Sequence, residues 1–224
     1  MFGDIAGSLA GTFEAGRGNM LWQGFLVTVQ ITAGAIGLGI LIGIVLAYFK
    51  MSRFKILKAI SFIYLGIVRG TPVVLQLFIV NFTLFAGFRG NRVWVAIVGL
   101  GINSGAYVAE LIRGGIQSID KGQTEAGLSL GLSRTQTMTF IVMPQAIKNI
   151  LPSFINEFIM LTKETAVVGF VAVQDLTRIA HQITARTFNV MPLVVAGVIY
   201  LTFISVLTFF LSLIEKYLRK SDKA

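Results

Sequence analysis

Residues 18–49 read GNMLWQGFLVTVQITAGAIGLGILIGIVLAYF, thirty-two residues without one charge. As a helix the stretch rises about 48 Å, more than the roughly 30 Å of a bilayer's hydrocarbon core. It is therefore expected to be a spanning helix that tilts or begins among the outer headgroups. Upstream, Met1 to Asn19 lacks a basic segment followed by an apolar run and a small-residue cleavage site, so no cleaved signal peptide is expected. Downstream comes a basic turn, Lys50, Arg53, Lys55 and Lys58. The rest of the chain repeats this alternation. It is 55% hydrophobic and 13% charged over 224 residues, with a mean hydropathy of +0.80. Such a composition excludes an ordinary soluble domain and leaves room for several spanning helices in a single domain, 1–224.

Four more apolar stretches follow. Ala59 to Phe88 holds one charge, Arg69, before Gly70-Thr71-Pro72; Val93 to Ile112 holds Glu110; Thr137 to Leu161 and Thr187 to Ile214 complete a set of five. Val167 to Ala185 is mixed and is expected to hold a short helix that re-enters or lies at the interface. The expected fold is all-α and polytopic, with five transmembrane helices.

Basic residues give the orientation. Four lie in Lys50–Lys58, four in Arg113–Lys148 and four in the tail Lys216–Lys223, whereas Arg17, Arg89, Arg92, Arg178 and Arg186 are scattered over the opposite side. Five helices and this asymmetry place the N-terminus outside and the C-terminus in the cytoplasm. The net charge of +9 thus reads as topology signal and headgroup-facing tail, not as nucleic-acid binding. There is no cysteine and only one histidine, His181, so neither a thiolate metal site nor a multi-histidine site is expected, and no cofactor.

Between the third and fourth apolar stretches lies a polar, small-residue interruption, about 114–144. Its centre reads Glu125-Ala-Gly-Leu-Ser-Leu-Gly131-Leu-Ser133-Arg134-Thr-Gln-Thr-Met-Thr-Phe-Ile-Val-Met143-Pro144. A patterned loop of this length is expected to dock a partner. Thr124 is the expected cap of a short helix from Glu125, whose carboxylate would sit at the positive helix end. Gly131 would allow a sharp turn and Ser133 would cap a second short helix. Ala126, Gly127 and Ser129 are small enough to seat in a groove, and Glu125 and Arg134 offer charged contacts. No Gly-x4-Gly-Lys-Ser/Thr phosphate loop occurs in the chain, so any work it does would draw energy from a partner or an ion gradient.

This loop resembles the cytoplasmic EAA loop of ABC-importer permeases, the membrane subunits that dock onto a separate ATPase. Glu125, Ala126, Gly131 and Pro144 fall on the family pattern; Gly127 replaces its second Ala and Met143 its Leu. Three further stretches resemble the histidine/glutamine/arginine type of polar amino-acid importer. They are Arg69-Gly70-Thr71-Pro72-Val73-Val74-Leu75-Gln76-Leu77, the segment from Asn103 to Gly115, and Lys163-Glu164-Thr165-Ala166-Val167, where the family more often has Lys-Asp-Thr-Ser-Leu. The resemblance covers Phe25 to Tyr217. It implies the type I importer permease fold in a bacterial cytoplasmic (inner) membrane. The implied partners are an ATP-binding cassette ATPase, a second permease subunit (identical or homologous) and an extracytoplasmic substrate-binding protein, with a polar or basic amino acid as cargo.

Charges at bilayer depth need partners or a wet cavity. Helical spacing puts Asn103, Tyr107 and Glu110 on one face, Glu157 and Glu164 on another, and Asn156 and Lys163 beside the latter. Arg69 and Thr71 stand at the Gly-Thr-Pro break, and broken helices line many transporter sites. The expected arrangement is Arg69 or Lys163 on an α-carboxylate and Glu110 on the cationic end of the substrate. An equally simple alternative pairs Arg69 with Glu110 or Glu164 and Glu110 with Arg113 to hold the bundle together. Glu157 is expected to be structural or at a subunit contact. The Gly34, Gly37, Gly39 and Gly43 series is expected to serve close helix packing. The rival functions are an ion-gradient-driven secondary transporter and a non-transporting anchoring subunit.

Overall fold

A computed structural model describes residues 5–220 as ten α-helices. Lys223 of the expected basic tail lies outside the described residues. The helices are α1 (Ile5–Phe13), α2 (Arg17–Met51), α3 (Lys55–Arg69), α4 (Val73–Phe82), α5 (Val93–Gln117), α6 (Lys121–Ser129), α7 (Arg134–Thr137), α8 (Met143–Glu164), α9 (Leu176–Thr187) and α10 (Met191–Lys220). Among the described residues no strand occurs, and four helical runs are each long and apolar enough to cross a membrane. The fifth expected span is the pair α3 and α4, bent by 109° at Gly70-Thr71-Pro72, and it counts as a span only if the two halves are taken together. The chemistry of that break is local: Pro72 has no N–H and its ring holds φ at −64°, so the chain restarts as α4 in a new direction. The pair also ends at Phe82, short of the expected Phe88.

The core is built on α2 and α5, which run parallel and share the most extensive contact in the molecule. Their axes approach closely because glycines meet across the seam. A Cβ on Gly43 would lie 2.6 Å from Val108 Cγ1, one on Gly39 3.0 Å from Ser104 Cβ, and one on Gly105 2.6 Å from Ile42 Cγ2. Gly37, grouped with these in the sequence, faces open space instead; at 100° per residue it points away from the seam. Ile31, Ala35, Leu77, Val95, Ala96, Leu100 and Leu161 fill the centre of the core.

The remaining elements cover this pair. Helix α8 packs on α5 and carries Pro152 internally. Its upstream end is continuous with α7 through a π turn, Met138–Val142, so the helical run spans 134–171 and starts before the expected Thr137. The mixed segment resolves into a 3-10 stretch, Thr165–Val171, and then α9. Asp175, fully buried, caps α9 by accepting from the backbone N–H groups of Thr177 and Arg178. Burial pushes the Asp175 carboxyl up from its ordinary range, against the downward pull of those N–H donors. Thr187 closes α9 rather than opening the last span; Phe188 turns the chain with φ +53°, and Asn189 Oδ1 accepts from the Met191 N–H at the start of α10. His181 is exposed on α9.

Candidate functional site

Two regions gather the residues singled out by the sequence. One is the loop hairpin that joins α5 to α8. The other is the set of polar side chains on α3, α5 and α8.

In the hairpin, α6 begins four residues earlier than expected. Asp120, not Thr124, is its cap, accepting from Gly122 N–H at 2.6 Å. Thr124 and Glu125 consequently sit within the helix, and Glu125 is exposed one turn away from its positive end. Helix α6 closes at Gly131, whose φ of +84° only glycine adopts freely. The Leu132 N–H reaches Gly127 O and the Gly131 N–H reaches Leu128 O, which is the paired-bond Schellman ending. Ser133 then caps α7 in a capping box with Gln136, as its Oγ accepts from Gln136 N–H while Gln136 Oε1 accepts from Ser133 N–H. Arg134 is exposed beside it.

Ala126 and Ser129 face outward with Glu125, but Gly127 does not. It is buried within the hairpin, where a Cβ would press on Thr137 Cγ2 at 2.8 Å and Ile141 Cδ1 at 2.9 Å. Its small size lets α6 fold onto the run that leads into α8. Leu128 and Leu130 remain exposed, Leu130 at 81%, so among the described residues the hairpin offers an open apolar and polar surface.

At the α5 end nearest this hairpin, Glu110 is the centre of a cation cluster. One carboxylate oxygen is held by Lys50 Nζ and lies 3.7 Å from Arg69 Nη1; the other accepts from Arg113 Nε at 2.8 Å. The Arg69 guanidinium also lies 5.8 Å from the Tyr107 ring centroid. The Arg69–Glu110 and Glu110–Arg113 pairs follow the alternative in which these charges hold the bundle together, with Tyr107 beside Arg69. Lys50, sixty residues away in sequence, was not foreseen in the cluster.

Asn103 is not on a wet face. It is 4% exposed, and its Nδ2 donates to Gln76 Oε1 at 3.0 Å. Gln76 Nε2 in turn donates to Val68 O at 2.7 Å and Thr71 O at 3.0 Å, the carbonyls that the α3–α4 break leaves without helical partners. The Thr71 hydroxyl donates back to Ile67 O. Gln76 is the residue that sequence reasoning missed here; a polar side chain four residues after a helix-breaking proline was the available signal.

On α8 the picture differs. Glu157 Oε1 accepts from Ser104 Oγ at 2.7 Å, and Glu164 follows seven residues on, on the same face of the helix. Asn156 is exposed, and Lys163, also exposed, makes no ion pair among the described residues. Lys163 lines a groove of about 400 Å³ with Thr177, Leu193, Gly197 and Tyr200. Along the helices, Glu110 lies about 9 Å from Ser104 and Glu164 about 10 Å from Glu157, in opposite directions. Glu110 and the Lys163–Glu164 pair thus lie toward opposite ends of the α5–α8 contact, their backbones about 20 Å apart.

Residues 39–220 match the family model described as the binding-protein-dependent transport system inner membrane component. The chain is 42% identical over 203 residues to the arginine transport system permease protein ArtQ of Bacillus subtilis (strain 168), covering 89% of this chain and 93% of that protein. It is 33% identical over 204 residues to the glutamine transport system permease protein GlnP of Escherichia coli (strain K12), again with 89% and 93% covered. Among solved structures, it superposes with a TM-score of 0.83 at 38% identity on a crystal structure of an amino acid ABC transporter with histidines, covering 89% of this chain and 94% of that one. An inward-facing MetNI methionine ABC transporter shares the fold at a TM-score of 0.77 and 22% identity.

Proposed function

The chain belongs to the family of binding-protein-dependent transport system inner membrane components, and from that premise we propose that it is the permease subunit of an ABC importer for polar or basic amino acids. The chain has no nucleotide loop of its own, so hydrolysis belongs to a separate ATPase. A second permease, identical or homologous, completes the pathway, and an extracytoplasmic binding protein delivers the substrate. The N-terminus lies outside, and the Lys121–Thr137 hairpin faces the cytoplasm of a bacterial inner membrane.

The observation that carries this reading is the hairpin. Asp120, Gly131 and Ser133 build two capped helices, and their face of Glu125, Ala126, Ser129, Leu130 and Arg134 stands exposed among the described residues. A rigid surface at the root of a spanning helix can receive a push from a partner and deliver it to α8. We place substrate contact on α8, where Glu157 and Glu164 offer carboxylates for an ammonium or guanidinium and Lys163 an ammonium for a carboxylate. Glu110 has both oxygens committed to cations and serves instead to join α2, α3 and α5.

The test is uptake of labelled arginine, histidine and glutamine into proteoliposomes that contain this chain and its candidate ATPase, with the binding protein supplied. Saturable accumulation that requires ATP on the ATPase side is the expected result. Uptake that ignores ATP and follows a proton or sodium gradient would replace this reading with a secondary transporter, and no saturable uptake at all would favour an anchoring subunit.

A further inference from the structure

The turn from α2 into α3 gathers Lys50, Arg53, Lys55 and Lys58 within nine residues and contains no carboxylate. Among the described residues only Lys50 of these four makes an ion pair, with Glu110. Arg53, Lys55 and Lys58 stand exposed. Lys50 and Lys58 border a groove of about 390 Å³ whose floor is Ala59 and the ring of Phe62. From that groove an apolar strip continues along α3, with Ile56, Ile60, Phe62, Ile63 and Ile67 all exposed. Among the described residues no other element covers it.

A cationic rim over an apolar floor fits an amphiphile with an anionic head. We propose that this groove seats an anionic phospholipid, its phosphodiester held by Lys58, with Lys50 kept beside it through its ion pair to Glu110, and its glycerol and first acyl carbons resting on Ala59 and Phe62. The inference rests on the membrane reading given above, and goes beyond it in assigning a lipid class to named residues. Charge complementarity selects this occupant: a second copy of the chain would bring the same Arg53, Lys55 and Lys58 face to face, and a free phosphate would leave the Phe62 floor wet.

The test uses the complex of this chain with its ATPase in mild detergent, titrated separately with phosphatidylglycerol, phosphatidylcholine and inorganic phosphate, with bound lipid counted by native mass spectrometry. Lys58→Gln is expected to weaken phosphatidylglycerol binding about fivefold, the worth of one basic side chain at an anionic surface. Lys58→Arg should restore it, Arg89→Gln at the far end of the molecule should not alter it, and phosphatidylcholine should bind all four proteins alike. Equal phosphatidylglycerol binding by wild type and Lys58→Gln overturns the proposal, and so does displacement of the lipid by an equal concentration of inorganic phosphate. Dissociation of the complex by Lys58→Gln with an unchanged lipid count overturns it too, since the groove would then be a protein contact. Failure of the wild type to bind either lipid would instead strike at the membrane reading.

Discussion

Three cations, Lys50, Arg69 and Arg113, converge on the single carboxylate of Glu110. Neutralising that carboxylate leaves like charges from α2, α3 and α5 facing one another where bilayer and protein limit the water available to screen them. Glu110→Gln is accordingly expected to cost about 1–3 kcal/mol, less than a fully buried pair because the cations are partly exposed. Thermal unfolding in detergent would register it, and uptake should fall by the same factor for cationic and neutral substrates. Glu164→Gln should behave differently: little change in stability, but a selective loss of arginine over glutamine. A selective loss in Glu110→Gln with none in Glu164→Gln would return the substrate contact to α5. Helical spacing made the Tyr107–Glu110 face legible, and the cost of a bare charge at membrane depth made a partner for it expected. Lys50 was illegible because it reaches Glu110 through the packing of two whole helices, which no local pattern encodes.

Between those two helices the seam is set by glycine. At Gly43 a methyl group would meet Val108 Cγ1 at 2.6 Å, Cβ at 2.7 Å and the Ala109 backbone nitrogen at 3.1 Å. A β-branched side chain and a backbone atom cannot swing aside, so Gly43→Ala must separate α2 from α5, at about 1–3 kcal/mol. Gly37→Ala, one and two-thirds turns earlier on α2, faces open space and should be neutral or stabilising by about 0.5–1 kcal/mol through helix propensity alone. Comparing the two unfolding midpoints checks the seam; equal effects would remove it. The sequence carried the glycine series but not which member faced α5. Element limits were legible to a similar depth. Apolar runs located the long helices and Gly-Thr-Pro the break, but α6 is capped by Asp120 rather than Thr124 because both are good caps and the earlier one wins an extra turn of helix. The π turn at Met138–Val142 left no trace, since one inserted residue merely shifts the apolar stripe.

Across the whole molecule, one continuous helical run of 38 residues, Arg134–Val171, joins the hairpin to the α8 carboxylates. Under the proposed coupling a displacement of the hairpin would pass along this run, with the π turn and Pro152 as the two places where it can flex. The turn between α6 and that run is made at Gly131, with φ +84°. No atom lies within 4 Å of where its side chain would be, so Gly131→Leu creates no clash and costs only the left-handed backbone, about 1–2 kcal/mol. The variant should insert, fold and assemble with its ATPase, whose hydrolysis continues while the turn relaxes and the hairpin no longer bears on α8 at the required angle. Uptake per ATP hydrolysed should then drop severalfold with hydrolysis itself nearly unchanged, measured on the same proteoliposomes. Gly131→Asn, which tolerates φ > 0 better than other residues, should recover much of the lost coupling. Normal uptake in Gly131→Leu would mean that the hairpin angle does not transmit the stroke, and the path from ATPase to pathway would have to run through another contact.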